Sequence, residues 1–424
     1  MGNLDYTQVL NKIENTRRFG NEPGVVVTAQ VIKVLREKGK QKRIIPYIHV
    51  AGTNGKGSVC AFFSSILKKE HMRVGTFVSP HLVDFEERIT VDGRMIPKED
   101  VTRLGNYLLD IDFGIGLTMF DYCLAMALLY FEEQQCDYMV IETGLGGRLD
   151  STNAIGKPQC AVITKIGYDH MAILGSDIAD IAAEKAGIIK ENGTVVVEQQ
   201  DKRAMQVIEQ QAQKKHARII TVEQSDIARC SGYALRLCGT FQWENAAAAE
   251  LAARYVLGKR YGGPEYEMQY DKTESKRAET DLNKRIKSAL EEAVWPGRME
   301  IVSKEPFLLV DGAHNSNGVD ALKESLMQMY PGEKFCFFMG VMADKDYDVM
   351  IREILPLAEE FYTVTPDSDR ALQASHLADF IRKEGVEATE LSGVDEIRKH
   401  LKRDTKNVAF GSLYFIGELK QHRI

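Results

Sequence analysis

Short apolar runs recur along the chain and alternate with longer segments whose apolar positions fall three or four residues apart. An unbroken short run is the pattern of a strand buried on both faces, and the wider spacing is that of a helix covered on one side. The runs predict strands over Ile44–Val50, Val74–Val78, Tyr138–Ile141, Ala161–Lys165 and Thr194–Val197, with helices between them, for example after Val59 and over Thr118–Glu133. This βαβα rhythm predicts a mostly parallel sheet covered on both faces. It stops after Phe241–Leu257, an alanine-rich helix, where a charged, glycine-bearing stretch (258–285) reads as an exposed, partly mobile insertion. Beyond Trp295-Pro296-Gly297-Arg298 the rhythm resumes, with strands predicted over Phe307–Val310, Phe335–Met339, Phe361–Val364 and Val408–Phe410. The fold class is therefore α/β: a mostly parallel sheet domain over 1–296, then a smaller Rossmann-like α/β domain over 297–424.

Composition narrows the partners. A chain of 424 residues exceeds one ordinary core, which agrees with two domains. Hydrophobic content of 44% and charged content of 27% are those of a globular protein. A net charge of −7 argues against nucleic acid as a partner, while leaving room for a local basic pocket. No apolar run approaches the roughly 18 residues needed to span a bilayer, and Met1–Tyr6 lacks a basic-then-apolar leader. The seven cysteines are dispersed and form no C-x-x-C pair, so they read as small buried hydrophobes in a reducing compartment. A cytoplasmic monomer without membrane attachment is expected.

The sharpest chemical signal is Gly52-Thr53-Asn54-Gly55-Lys56-Gly57-Ser58, set between a predicted strand and a predicted helix. Glycines let backbone N–H groups converge on phosphate oxygens, the helix N-terminus adds its dipole, and Lys56 adds a full charge. Ser58 supplies a hydroxyl for the magnesium that accompanies a nucleotide. Gly57 separates lysine from hydroxyl, a departure from the standard P-loop spacing, yet an ordinary tight turn explains the flanking strand and helix poorly. ATP is the expected ligand.

Further polar groups follow other predicted strands, where an open parallel sheet collects its ligands. Ser79-Pro80-His81 follows one, Glu142 leads into Thr143-Gly144-Leu145-Gly146-Gly147-Arg148, and Asp169-His170 follows a third. A serine oxygen, a carboxylate and an imidazole around a phosphate loop suit a Mg2+ site, though each alone has a structural alternative. Lys185 lies at an apparent helix end among small residues, and Asp311-Gly312-Ala313-His314-Asn315 ends a strand of the second domain.

These segments, with Glu87-Arg88-Ile89, the run Leu149–Asn153, Glu184–Ile188, Trp295–Arg298, Asp344-Lys345-Asp346 and Gly411–Tyr414, make the chain resemble folylpolyglutamate and dihydrofolate synthases, a branch of the Mur ligase superfamily. The resemblance runs from about His49 to Leu413. It implies an ATP-dependent ligase that phosphorylates a carboxylate and lets the amine of L-glutamate attack the acyl phosphate. It also implies that Thr53, Asn54, Gly55, Lys56, Gly57 and Ser58 hold phosphates, and that Ser79, Glu142 and His170 bind magnesium. Lys185 matches a lysine that is carbamylated in related enzymes and then serves as an anionic metal ligand. Asn245, Arg298 and Asp311 match nucleotide contacts, and His314 would neighbour the acyl phosphate; Lys56, Lys185 and His314 are thus the expected catalytic residues.

Two departures fall on the acceptor side. The family's Phe-Glu-x-x-Thr reads Phe120-Asp121-Tyr122-Cys123-Leu124 here, and the early loop Pro23–Gln30 lacks an arginine. A hydroxyl and a cation are missing from the acceptor pocket, which weakens dihydropteroate as a substrate relative to folate polyglutamylation. The alternatives are a related ligase acting on a non-folate carboxylate and, from another class, a nucleotide-binding protein that has lost catalysis.

Overall fold

The computed structural model describes residues 3–16, 20–260 and 272–422, and its strands form two sheets. The first contains β1 (Tyr47–Ala51), β2 (Val74–Phe77), β3 (Ile89–Val91), β4 (Arg94–Met95), β5 (Tyr138–Glu142), β6 (Cys160–Ile163), β7 (Thr194–Val197) and β8 (Arg218–Thr221). Their order is β4-β3-β2-β5-β1-β6-β7-β8, parallel from β2 to β8, with β3 and β4 antiparallel at one edge. Every residue of β1, β2, β5, β6 and β7 is buried, which is why each reads as a mostly apolar run. The second sheet holds β9 (Glu300–Lys304), β10 (Phe307–Val310), β11 (Phe335–Met339), β12 (Ala358–Thr363), β13 (Ala388–Glu390) and β14 (Lys406–Phe410) in the order β13-β12-β11-β14-β10-β9. Only β9 runs antiparallel.

Contacts divide the chain into two units, Met1–Ala234 with Glu244–Ala293, and Leu235–Trp243 with Val294–Ile424. A boundary near Pro296 would leave Leu235–Trp243 in the first domain, yet this segment groups with the second unit. The Thr240 amide donates to the Ser325 hydroxyl at 3.0 Å, and Phe241 packs against the core built on Phe335, Phe337 and Phe361.

Several expected elements change. Strand β1 begins at Tyr47 rather than Ile44: Pro46 has no N–H to give a ladder, and Ile44 is 72% exposed. Pro23–Gln30, expected as a loop, opens the helix Gly24–Glu37, with Pro23 as its N-cap and Val27, Val31 and Leu35 buried at four-residue spacing. The stretch 258–285 is not all irregular. Its later part lies in the helix Lys272–Glu292, which buries Ile286, Ala289 and Leu290; residues 261–271 lie outside the described residues. Among the described residues, no helix is long and apolar enough to cross a membrane. All seven cysteines are free thiols, and six are buried.

Candidate active site

Strands β2, β5, β1 and β6 lie side by side and parallel, so the segments that follow them leave from one edge of the sheet. Those segments carry Ser79, Glu142, the loop Gly52–Ser58 and Asp169-His170. The joint arrangement expected from sequence therefore has a topological cause. In an open parallel sheet this edge is where ligands bind.

The loop turns directly into the helix Lys56–Lys69, whose N-cap Gly55 has φ 89°. That left-handed backbone favours glycine, and a Cβ there would also overlap the Asn245 amide oxygen. A Cβ on Gly52 would overlap the Thr164 hydroxyl. The loop rests on the exit of β6: the Thr53 and Asn54 amides donate to the Lys165 carbonyl at 2.9 and 3.2 Å. The Thr164 hydroxyl donates to the Asn54 carbonyl at 2.6 Å, and the Thr53 hydroxyl donates to the Gly167 carbonyl at 3.0 Å. With those two loop amides engaged, the amides placed to meet a phosphate are those at the start of the helix, which have no carbonyl partner one turn back.

Lys56 and Lys185 both close on this loop. The Lys56 ammonium donates to the carbonyls of Gly52 and Thr53 at 3.2 and 3.1 Å and lies 3.9 Å from the Glu142 carboxylate. Lys185, on the helix Ile178–Ala186, donates to the Gly52 carbonyl at 2.8 Å. Burial, then the neighbouring Lys56 charge, pushes the Lys185 amine down to about 7, against Asp169 and Asp150, which raise it. The solvated helical lysine that composition alone would favour is thus replaced by a buried amine beside a phosphate loop.

Glu142 is buried at the end of β5, and the Ser79 backbone N–H points to its carboxylate at 3.4 Å. Ser58 is buried in the first turn of the loop helix. His170 sits with φ 52° at the N-cap of the short helix Met171–Leu174, its side chain 40% exposed and 3.9 Å from the Asp169 carboxylate. Among the described residues no three His, Cys, Asp or Glu side chains cluster as a ready-made metal cage. One buried carboxylate with serine hydroxyls is instead a sparse oxygen set. It fits magnesium, which takes one or two protein oxygens and keeps waters and phosphate oxygens as its other ligands.

The second unit builds its own polar cluster where β10 ends. Asp311 is buried and accepts the Met299 and Ala313 amides, each at 2.8 Å. Burial raises its carboxyl, while the Arg298 charge pulls the other way. Gly312 lets the Arg298 guanidinium and the Leu413 side chain approach its backbone, where a Cβ would displace them. The His314 Nδ1 lies 2.8 Å from the Gly312 carbonyl.

Sequence reading missed Thr164 and Lys165, which carry no motif and act from beneath the loop. It also missed a buried chain in which His49 Nε2 lies 2.7 Å from the Thr152 hydroxyl, itself bonded to Asp150. On the acceptor side, Asp121 accepts the Ser151 hydroxyl at 2.6 Å and caps its own helix through Thr118. Leu124 lies fully buried in the adjoining apolar core.

Comparison with known proteins agrees with this geometry. The Mur ligase middle domain profile matches residues 50–253, and the Mur ligase glutamate ligase domain profile matches 297–410. A Bacillus subtilis protein named dihydrofolate synthase/folylpolyglutamate synthase is 32% identical, with 98% of each chain covered. The structure of Mycobacterium tuberculosis folylpolyglutamate synthase complexed with ADP and AMPPCP superposes with a TM-score of 0.82 at 25% identity, covering 99% of this chain and 98% of that one. The E. coli FolC structure in complex with DHPP and ADP gives a TM-score of 0.80 at 26% identity, covering 99% and 97%. A phosphate loop flanked by Lys56, Glu142 and Lys185, together with full-length similarity, shows that the chain belongs to the folylpolyglutamate synthase/dihydrofolate synthase family of Mur ligases.

Proposed function

We propose that this protein is an ATP-dependent ligase that joins L-glutamate to the carboxylate of a folate through an acyl phosphate. The observation that carries the reading is the convergence of two lysines and a buried carboxylate on one glycine-rich loop at the ligand edge of a parallel sheet. The loop amides and Lys56 hold the triphosphate and offset the charge that builds on the transferred phosphoryl group. Asn245, against Gly55 beneath the loop, and Arg298 and Asp311 of the second unit are proposed nucleotide contacts, with His314 a neighbour of the acyl phosphate. Glu142, Ser79, His170 and a carbamylated Lys185 would hold magnesium, which when bound polarises the phosphate oxygens. An amine brought down to about 7 is unprotonated in about half of the molecules at neutral pH and so is competent to take up carbon dioxide as a carbamate.

The acceptor side favours polyglutamylation of a reduced folate over addition of glutamate to dihydropteroate. Leu124 offers no hydroxyl, and the helix Gly24–Glu37 brings no arginine in its first two turns. Release of phosphate from ATP with L-glutamate and a panel of acceptors tests the reading. Glutamate-dependent release with tetrahydrofolate is expected. Release only with carboxylates unrelated to folate would move the assignment to another Mur-type ligase, and release without any acceptor would make the protein a hydrolase.

A further inference from the structure

The nucleotide loop does not stand on the sheet alone. Its amides at Thr53 and Asn54 hang on the Lys165 carbonyl, so the placement of one residue, Lys165, sets the height of the loop. The same residue is held at its other end as well: the Lys165 N–H, in the preceding peptide group, donates to the Glu198 carboxyl at 2.7 Å. Glu198 is the first residue past β7, it is buried, and its own N–H donates to the Ile163 carbonyl at the end of β6 at 3.0 Å. The next residues repeat the clasp. The Ile166 amide donates to the Gln200 side-chain oxygen at 2.9 Å, and the Gln200 side-chain amide donates to the Thr164 carbonyl at 3.1 Å.

The second clasp comes from the helix Phe241–Arg260. The Gln199 amide donates to the Glu244 carboxylate at 2.6 Å, and Glu244 precedes Asn245, the residue packed under Gly55. A closed circuit therefore runs from the loop through Lys165, Glu198, Gln199, Glu244 and Asn245 back to the loop. Burial, with Glu244 beside it, pushes the Glu198 carboxyl well above the usual carboxylate range, and its Oε1 is buried without a hydrogen-bond partner. Leaving a buried oxygen unpaired is costly, and a shorter apolar side chain would avoid that cost. Its other oxygen holds the Lys165 N–H beneath the loop.

We propose that Glu198, with Glu244, is a positioning residue for nucleotide binding: it touches no reacting atom but fixes the backbone of Lys165, and through that residue's carbonyl the Thr53 and Asn54 amides. This rests on the reading of the loop as the ATP site. Removing the acceptor should let the β6 exit and the loop resting on it shift, so the amides at the start of the helix Lys56–Lys69 no longer converge on the phosphates, while the chemistry of bound substrate is spared.

The test is steady-state kinetics on the full chain, with equilibrium ATP binding and thermal unfolding measured in parallel. Glu198→Ala should raise the ATP KM at least about fivefold, with kcat and the glutamate KM within about twofold of the parent. Glu198→Gln keeps an acceptor oxygen for the Lys165 N–H and should restore the ATP KM to within about twofold. A parental ATP KM in Glu198→Ala, or equal impairment of Glu198→Gln and Glu198→Ala, overturns the proposal, since a merely structural role would lower stability and active fraction instead. Should Glu198→Ala not fold, Glu244→Ala at the half-buried start of its helix decides: a weaker ATP affinity supports the proposal and an unchanged one overturns it. ATP binding by the parent with no change in any variant defeats only this proposal. No ATP binding by the parent defeats the proposal and the reading of the loop together.

Discussion

Lys185 shows how one position changes meaning with its surroundings. An amine in water stays charged, but this one is buried within hydrogen-bonding distance of the Gly52 carbonyl and is brought down to about 7. Lys185→Ala should cut turnover by about 100-fold or more, and short carboxylates such as acetate should restore part of it by replacing a carbamate oxygen. Full activity in that variant would remove Lys185 from the site. His49 makes a second prediction of a different kind. Burial, with Lys190 adding to it, lowers the imidazole from 6.5 to about 3, so it is neutral in the fold at neutral pH and takes up a proton on unfolding below 6.5. The unfolded state then binds more protons than the folded one between about pH 3 and 6.5, so stability falls as pH falls through that window. Denaturant unfolding at pH 6.5 and pH 5 should show about 2 kcal/mol of this loss, and His49→Gln, which has no titrating group, should lose correspondingly less.

At the scale of elements, the strand-to-helix turn at Gly55 is the most demanding piece of backbone in the site. Its φ of 89° and the Asn245 amide beneath it leave no place for a side chain. Gly55→Ala should cost about 1–2 kcal/mol from the backbone alone and weaken ATP binding at least about tenfold, measured by thermal unfolding and by titration. An unchanged ATP affinity would mean that the loop does not hold phosphate. This turn was legible because phosphate binding forces a particular composition on contiguous residues. The buried strands β5, β7, β10 and β11 were legible for a similar reason, as a strand covered on both faces is mostly apolar. The edge strands β8, β9 and β13 were not, because exposed edges accept polar residues and lose the signal. The helix Gly24–Glu37 was hidden by reading Pro23–Gln30 as a loop, when Pro23 caps a helix that starts at Gly24. Lys165, Glu198 and Glu244 could not be found from spacing at all, since their roles arise only when β6, β7 and a distant helix come together.

For the whole molecule, the proposed site residues are divided between the two units. The first carries the phosphate loop, Glu142 and Lys185; the second carries Arg298, Asp311 and His314. Arg298→Ala should raise the ATP KM severalfold while leaving the unfolding of the first unit unchanged, read by ATP-dependent turnover and by calorimetry. The central claim is that ATP is spent to activate an acceptor carboxylate, and oxygen tracing tests it most directly. With tetrahydrofolate labelled by oxygen-18 in its glutamate carboxylates, the account predicts that each phosphate released during ligation carries one labelled oxygen from the acceptor. Unlabelled phosphate from the same turnover would contradict it.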